Sequence, residues 1–192
     1  MKKTLLITLL LIPFLGISQT TKPIDGFLGI KFGCSRAQAI AALNAKGGII
    51  NVQHSSKDKI QYSKITLGHR EAYQVQLSFI NDKLYLGVFF FKEELEPKTI
   101  DYYNDLVSDV SSIYGTGVAT KSFKEPYADG DGFEVQAISH GNATYEMTWV
   151  SPNKNFIFMT ILSNLYIQLS YQDDALSTEA TSNQKAKEKS DF

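Results

Sequence analysis

"KLYLGVFFFK", Lys83–Lys92, is apolar at both parities of its alternation. Leu84, Leu86, Val88 and Phe90 fall on one side of an extended chain, and Tyr85, Phe89 and Phe91 on the other. A strand apolar on both sides is central and covered on both, or its second face meets a partner. Just upstream, Tyr73, Val75, Leu77 and Phe79 alternate with Gln74, Gln76 and Ser78, which predicts a strand with one buried face. "IND", Ile80–Asp82, is the turn between them.

Working outward, Pro97 suits a helix first turn, and Ile100, Tyr103, Val107, Val110 and Tyr114 recur at intervals of three and four until Gly115. Four strand candidates follow: "GFEVQAIS" from Gly132, "ATYEMTWV" from Ala143, "NFIFMTIL" from Asn155 and "LYIQLSYQ" from Leu165. Their connections, "HGN", "SPNK" and "SN", are short, so antiparallel hairpins are expected. On the other side, "IDGFLGIKFG" suits a short strand, and "FGCSRAQAIAAL", Phe32–Leu43, suits a helix. There Ser35 and Gln38 stand in the capping-box relation, Ala39, Ile40 and Leu43 form an apolar stripe, and "KGG" at Lys46–Gly48 supplies the stop.

The order helix, strands, helix, strands predicts an α+β fold: a single domain over residues 19–172, with two helices packed on a mainly antiparallel sheet. From Asp173 the chain turns polar and charged, and residues 173–192 are expected to form a disordered tail.

The first 18 residues read as a signal peptide. Lys2 and Lys3 precede an apolar run from Leu5 to Leu15, and Gly16 and Ser18 supply small residues before Gln19. Ser18 stands where a lipid-bearing cysteine would be needed, and Cys34 is too far along to replace it. The expectation is a soluble exported protein, periplasmic or secreted, with no stable membrane anchor. Cleavage would leave 17 basic residues against 20 acidic ones, a net charge of −3. That balance gives no electrostatic reason to expect nucleic acid or anionic membrane as partner. A single cysteine forms no internal disulfide, and Cys34, between a glycine and a helix cap, reads as a small buried hydrophobe rather than a reactive thiol.

Chemistry-bearing motifs are sparse. His54, His69 and His140 are not spaced as metal ligands, and no nucleophile elbow, phosphate loop or dinucleotide fingerprint occurs. No catalytic residue, metal or cofactor is expected, and the protein is read as not an enzyme. "EPYADGDGFE", Glu125–Glu134, resembles half a calcium loop through Asp129, Asp131 and Glu134. Asp-Gly is also a preferred turn dipeptide, and the turn is the preferred reading. The aromatic set Tyr85, Phe89, Phe91, Tyr145 and Trp149 has two readings: core beneath helices, or an open sheet face that binds a partner. Two modest helices on one face would leave the other open, so these five residues are the candidate partner surface.

The helix start around Gly33, Ser35, Arg36, Gln38 and Ala39 resembles the "G-x-T-R-x-Q-V" start of the small outer-membrane assembly lipoproteins (SmpA/OmlA, also called BamE), and a similar start in the β-lactamase-inhibitor proteins. Serine replaces threonine and alanine replaces valine, and the lipid-bearing cysteine of the lipoproteins is missing. The resemblance implies helices followed by antiparallel strands, repeated twice, and action by binding other proteins. The expected function is therefore an exported, non-catalytic binding protein that engages another envelope or secreted protein through a sheet face. The alternative is a small-ligand or lipid carrier with an aromatic-lined cavity.

Overall fold

The computed structural model describes residues 22–190, so the signal-peptide reading of residues 1–18 lies outside the described residues. In chain order the elements are β1 (Gly26–Phe27), β2 (Ile30–Lys31), α1 (Arg36–Ala45), β3 (Ile49–Ile50), β4 (Lys59–Ser63), β5 (Ile65–Leu67), β6 (Arg70–Ala72), β7 (Gln74–Ile80), β8 (Lys83–Lys92), α2 (Thr99–Tyr114), β9 (Val118–Phe123), α3 (Glu134–Ser139), β10 (Ala143–Val150), β11 (Phe156–Ile161), β12 (Tyr166–Gln172) and α4 (Asp174–Ser190). Eight strands form one antiparallel sheet in the order β3-β4-β7-β8-β12-β11-β10-β9, while β1-β2 and β5-β6 form small hairpin sheets.

The α+β character is plain, but the expected two helices on one sheet is corrected. Among the described residues four α-helices accompany a sheet that dominates the fold. "GFEVQAIS" is not a strand: Glu134–Ser139 is helical, with Ala137 and Ile138 buried. Its six residues are too few for period to decide between strand and helix. The polar segment after Gln172, expected to lack order, is also a helix. Asp173 accepts from the N–H of Leu176 at 2.9 Å in the position of an N-cap. The alanines, lysines and glutamates that follow, with Gln184, are strong helix formers. Gln172 donates to Ser177 at 2.7 Å and Asn81 to Glu179 at 2.8 Å, which ties α4 to the sheet. Truncation after Gln172 is expected to lower stability by about 1–2 kcal/mol, read as a lower midpoint in a urea melt.

The large sheet divides into two halves of the same plan. α1 precedes β3-β4-β7-β8 and α2 precedes β9-β10-β11-β12; the last strand of each half, β8 and β12, meet antiparallel at the centre. Register across the sheet defines its faces. One row runs Tyr62, Val75, Phe89, Leu169, Met159, Met147 and Ala119, and it lies on the side of α1 and α2. The neighbouring row, one residue along, runs Gln61, Gln76, Val88, Ser170, Phe158, Thr148 and Val118 on the opposite side.

The capping box at the start of α1 forms: Gln38 N–H donates to Ser35 Oγ at 3.3 Å, and Ser35 N–H to Gln38 Oε1 at 2.9 Å. At its end, Gly47 takes a positive φ of 82° and Gly48 N–H returns to Leu43 O at 3.0 Å. Ser35→Ala is expected to cost about 1 kcal/mol, checked by the same urea midpoint.

Candidate functional site

Four of the five residues expected to form a partner surface are core. Phe89 and Phe91 are fully buried, Tyr145 is 6% exposed and Trp149 is 2% exposed. Phe89 meets Phe27 edge-on at 5.5 Å, Phe91 meets Tyr102 at 6.4 Å and Tyr103 meets Tyr145 at 6.1 Å. The indole N–H of Trp149 donates to Gly115 O at 3.0 Å, at the end of α2. Burial also pushes the phenols of Tyr103 and Tyr171 well above their ordinary pKa, as in a dry interior. Tyr85 alone departs from this set. Ser78 pairs with Leu86 and Phe79 with Leu84, so a bulge drops Tyr85 out of register and away from the face of Phe89 and Phe91. It lines a groove of about 600 Å³ beside α4, together with Leu86 and Gln172.

The open side of the sheet is the other one. α4 packs on β7 and β8 on this side; Val88 and Ser170 at the centre of the face are buried, and the face opens toward β10 and β9. Phe90, Phe156 and Phe158 are half-buried there, and Val118 and Val150, at 73% and 67% exposure, are largely open. Thr148, Thr160, Gln74, Gln76 and Gln168 stand among them. A mixed surface of this kind is wettable yet offers aromatic area to a partner. Phe90 falls, as the alternation predicts, on the side opposite Phe89 and Phe91, while the sequence reading gave Phe156 and Phe158 no face. The signal that marks them is the polar parity of β10–β12, where Thr144, Glu146, Thr148, Thr160, Gln168, Ser170 and Gln172 all fall on this face.

A second concave region lies on the helix side, between α2 and the edge strand β9. Clefts of about 690 and 180 Å³ share Ile100, Lys121 and Tyr145 as common walls. Lys121 ion-pairs with Asp129 and lies 4.8 Å from the centre of the Tyr145 ring. The Asp129 hydrogen bond holds the Lys121 ammonium pKa above its usual value. The other carboxylates of the Asp-Gly loop are engaged by backbone. Asp131 accepts from Ala128 N–H at 2.8 Å and Phe133 N–H at 2.7 Å, and Glu134 accepts from Gly130 N–H at 2.9 Å. The loop is thus a hydrogen-bonded turn leading into α3. Cys34 is partly buried against the core, and burial followed by the Asp82 charge raises its thiol pKa, away from reactive thiolate. His140 shares a 3.1 Å hydrogen bond with Tyr127, and His69 lies across the fold in the small cleft beside Leu106 and Ile113.

Among the described residues no helix is long and apolar enough to cross a membrane. No protein-family model, curated protein or solved structure matches this chain.

Proposed function

We propose that the chain is an exported, non-catalytic binding protein that engages another cell-envelope protein through the open face of its eight-stranded sheet. The observation that carries this reading is the half-buried trio Phe90, Phe156 and Phe158, on the face opposite α1 and α2 whose outer part, at Val118 and Val150, is largely exposed. Aromatic side chains set among threonines and glutamines supply contact area at low entropic cost, and polar neighbours supply hydrogen bonds at the rim. The alternative of a small-ligand or lipid carrier has less support, because the buried aromatics interlock ring against ring instead of lining a void. The export signal, read from residues 1–18, supports the compartment.

The test is site-specific photo-crosslinking in the native envelope. A photoreactive phenylalanine at position 158 should trap one protein that the same probe at Val52, exposed elsewhere on the molecule, does not. Equal labelling from both positions, or none from 158 in a folded protein, would sink this reading.

A further inference from the structure

Every residue of β9 from Val118 to Ser122 is exposed, and β9 is the outermost strand of the sheet on its side. The opposite edge, β3, is only two residues long. A strand edge of six residues presents unpaired backbone groups that template another strand. Which groups these are follows from the register. Lys124 N–H donates to Asn142 O at 2.8 Å, so the two-residue alternation turns Ser122, Thr120 and Val118 toward β10 and leaves Ala119, Lys121 and Phe123 facing outward.

Lysine at the centre of an edge normally guards it, because an incoming strand would strip its hydration. Lys121 does not serve in that way here. Its ammonium is drawn to Asp129 and over the Tyr145 ring, on the cleft side of the sheet. The same pairing cancels the principal positive charge of the cleft wall. Glu96, Asp101 and Glu134 also line the cleft, and none of them takes part in an ion pair among the described residues. Each stands in a helix first turn, where backbone N–H groups offset part of its charge, and three carboxylates against one paired lysine leave the cleft lining net acidic. Ile100, Val107, Tyr145 and Met147 supply apolar surface within the same cleft, and Phe133, 58% exposed, stands at its lip.

We infer that the β9 edge takes an extended basic peptide as an added strand, with backbone hydrogen bonds to Ala119, Lys121 and Phe123. Its lysine or arginine side chains face the acids of α2 and α3. Main-chain pairing supplies affinity that is indifferent to sequence, and the acids supply the preference for positive charge. This site is separate from the open sheet face, and the two readings fail independently: Phe158→Asp should leave peptide binding unchanged.

The probe is the capped heptapeptide TKVKVKT, with TEVEVET as its charge-reversed control, titrated into the full chain. The lysine peptide should bind saturably, at least about tenfold more tightly than the glutamate peptide. Hydrogen exchange at the amides of Ala119, Lys121 and Phe123 should slow on binding, which simple charge attraction would not produce. Ala119→Pro removes one outward N–H without touching the ladder to β10, and should weaken binding by about tenfold or more while the protein stays folded. Asp101→Lys with Glu134→Lys should reverse the order of the two peptides. Equal affinity for both peptides, or binding without slowed exchange at those amides, would overturn the inference. So would a dimer of the chain alone that protects the same amides at micromolar protein, since the edge would then belong to a second copy.

Discussion

Phe89→Asp should leave no cooperatively folded protein at room temperature. Phe89 is fully buried at the centre of the sheet, its ring 5.5 Å from that of Phe27, 6.0 Å from Tyr171 and 6.5 Å from Phe91. Loss of a buried phenylalanine alone costs about 3–5 kcal/mol. A carboxylate in the same place finds no cation: Val75 and Leu169 flank it in register, both fully buried. Leaving that charge unpaired adds several kcal/mol, and the sum reaches the whole stability of an ordinary domain, about 5–15 kcal/mol. Far-UV circular dichroism with a urea titration reads the outcome. The contrast is Phe158→Asp, on the opposite face, where water reaches the new carboxylate and a cooperative melt should survive. A Phe89→Asp protein that melts within a few degrees of its parent would place this face at the surface and undo the assignment of the two sides.

How much of this was legible in the chain depends on which residues carried the pattern. α1 and α2 were readable because their stops and caps are local chemistry: Ser35 with Gln38, Gly47 and Gly115. β7, β10, β11 and β12 were readable because one parity is apolar. β9 was not, since "VATKSF" at an exposed edge buries neither parity and leaves no alternation to see. α3 and α4 were misread for opposite reasons, one too short to show a period and the other stabilised by its cap and helix propensity more than by an apolar face. The candidate partner surface was misplaced by one feature. With both parities of β8 apolar, its faces could be told apart only by register to its neighbours, and the bulge at Tyr85 breaks the simple alternation. Register is a property of pairing between distant segments, so nothing within Lys83–Lys92 records it. The β9 edge is hidden for the same reason, because an unpaired backbone is defined by what does not lie beside it.

Gly87 is the position within that strand where the close approach of another element is written, and its substitution is the second large effect expected. A glycine inside an otherwise apolar strand marks backbone that something nearly touches. Here a Cβ would lie 2.2 Å from Phe27 Cζ and 2.3 Å from Cε1. The ring cannot swing aside at low cost, since it is also packed between Phe32 at 6.2 Å, Phe89 at 5.5 Å and Tyr171 at 5.6 Å. Nor can its backbone readily follow. Gly26 adopts a φ of 154° and sits so close to Ile30 that a Cβ there would be 1.9 Å from the Ile30 oxygen, and Asn155 pins Ile24 O by a 2.8 Å hydrogen bond. Gly87→Ala should therefore cost about 1–3 kcal/mol through overpacking, and Gly87→Val more, by lifting the β1-β2 hairpin from the sheet. Urea midpoints measure both. The mechanism is separable from any intrinsic effect on strand propensity, because alanine in place of glycine within a strand would on its own be neutral or favourable. Phe27→Leu trims the ring that the new methyl strikes, so in the Gly87→Ala background it should cost less than in the parent, a coupling of about 0.5–3 kcal/mol between the two sites. Strict additivity of the two substitutions would mean that the hairpin and the sheet do not press on one another at Gly87, and that the inner face is looser than its interlocked rings require.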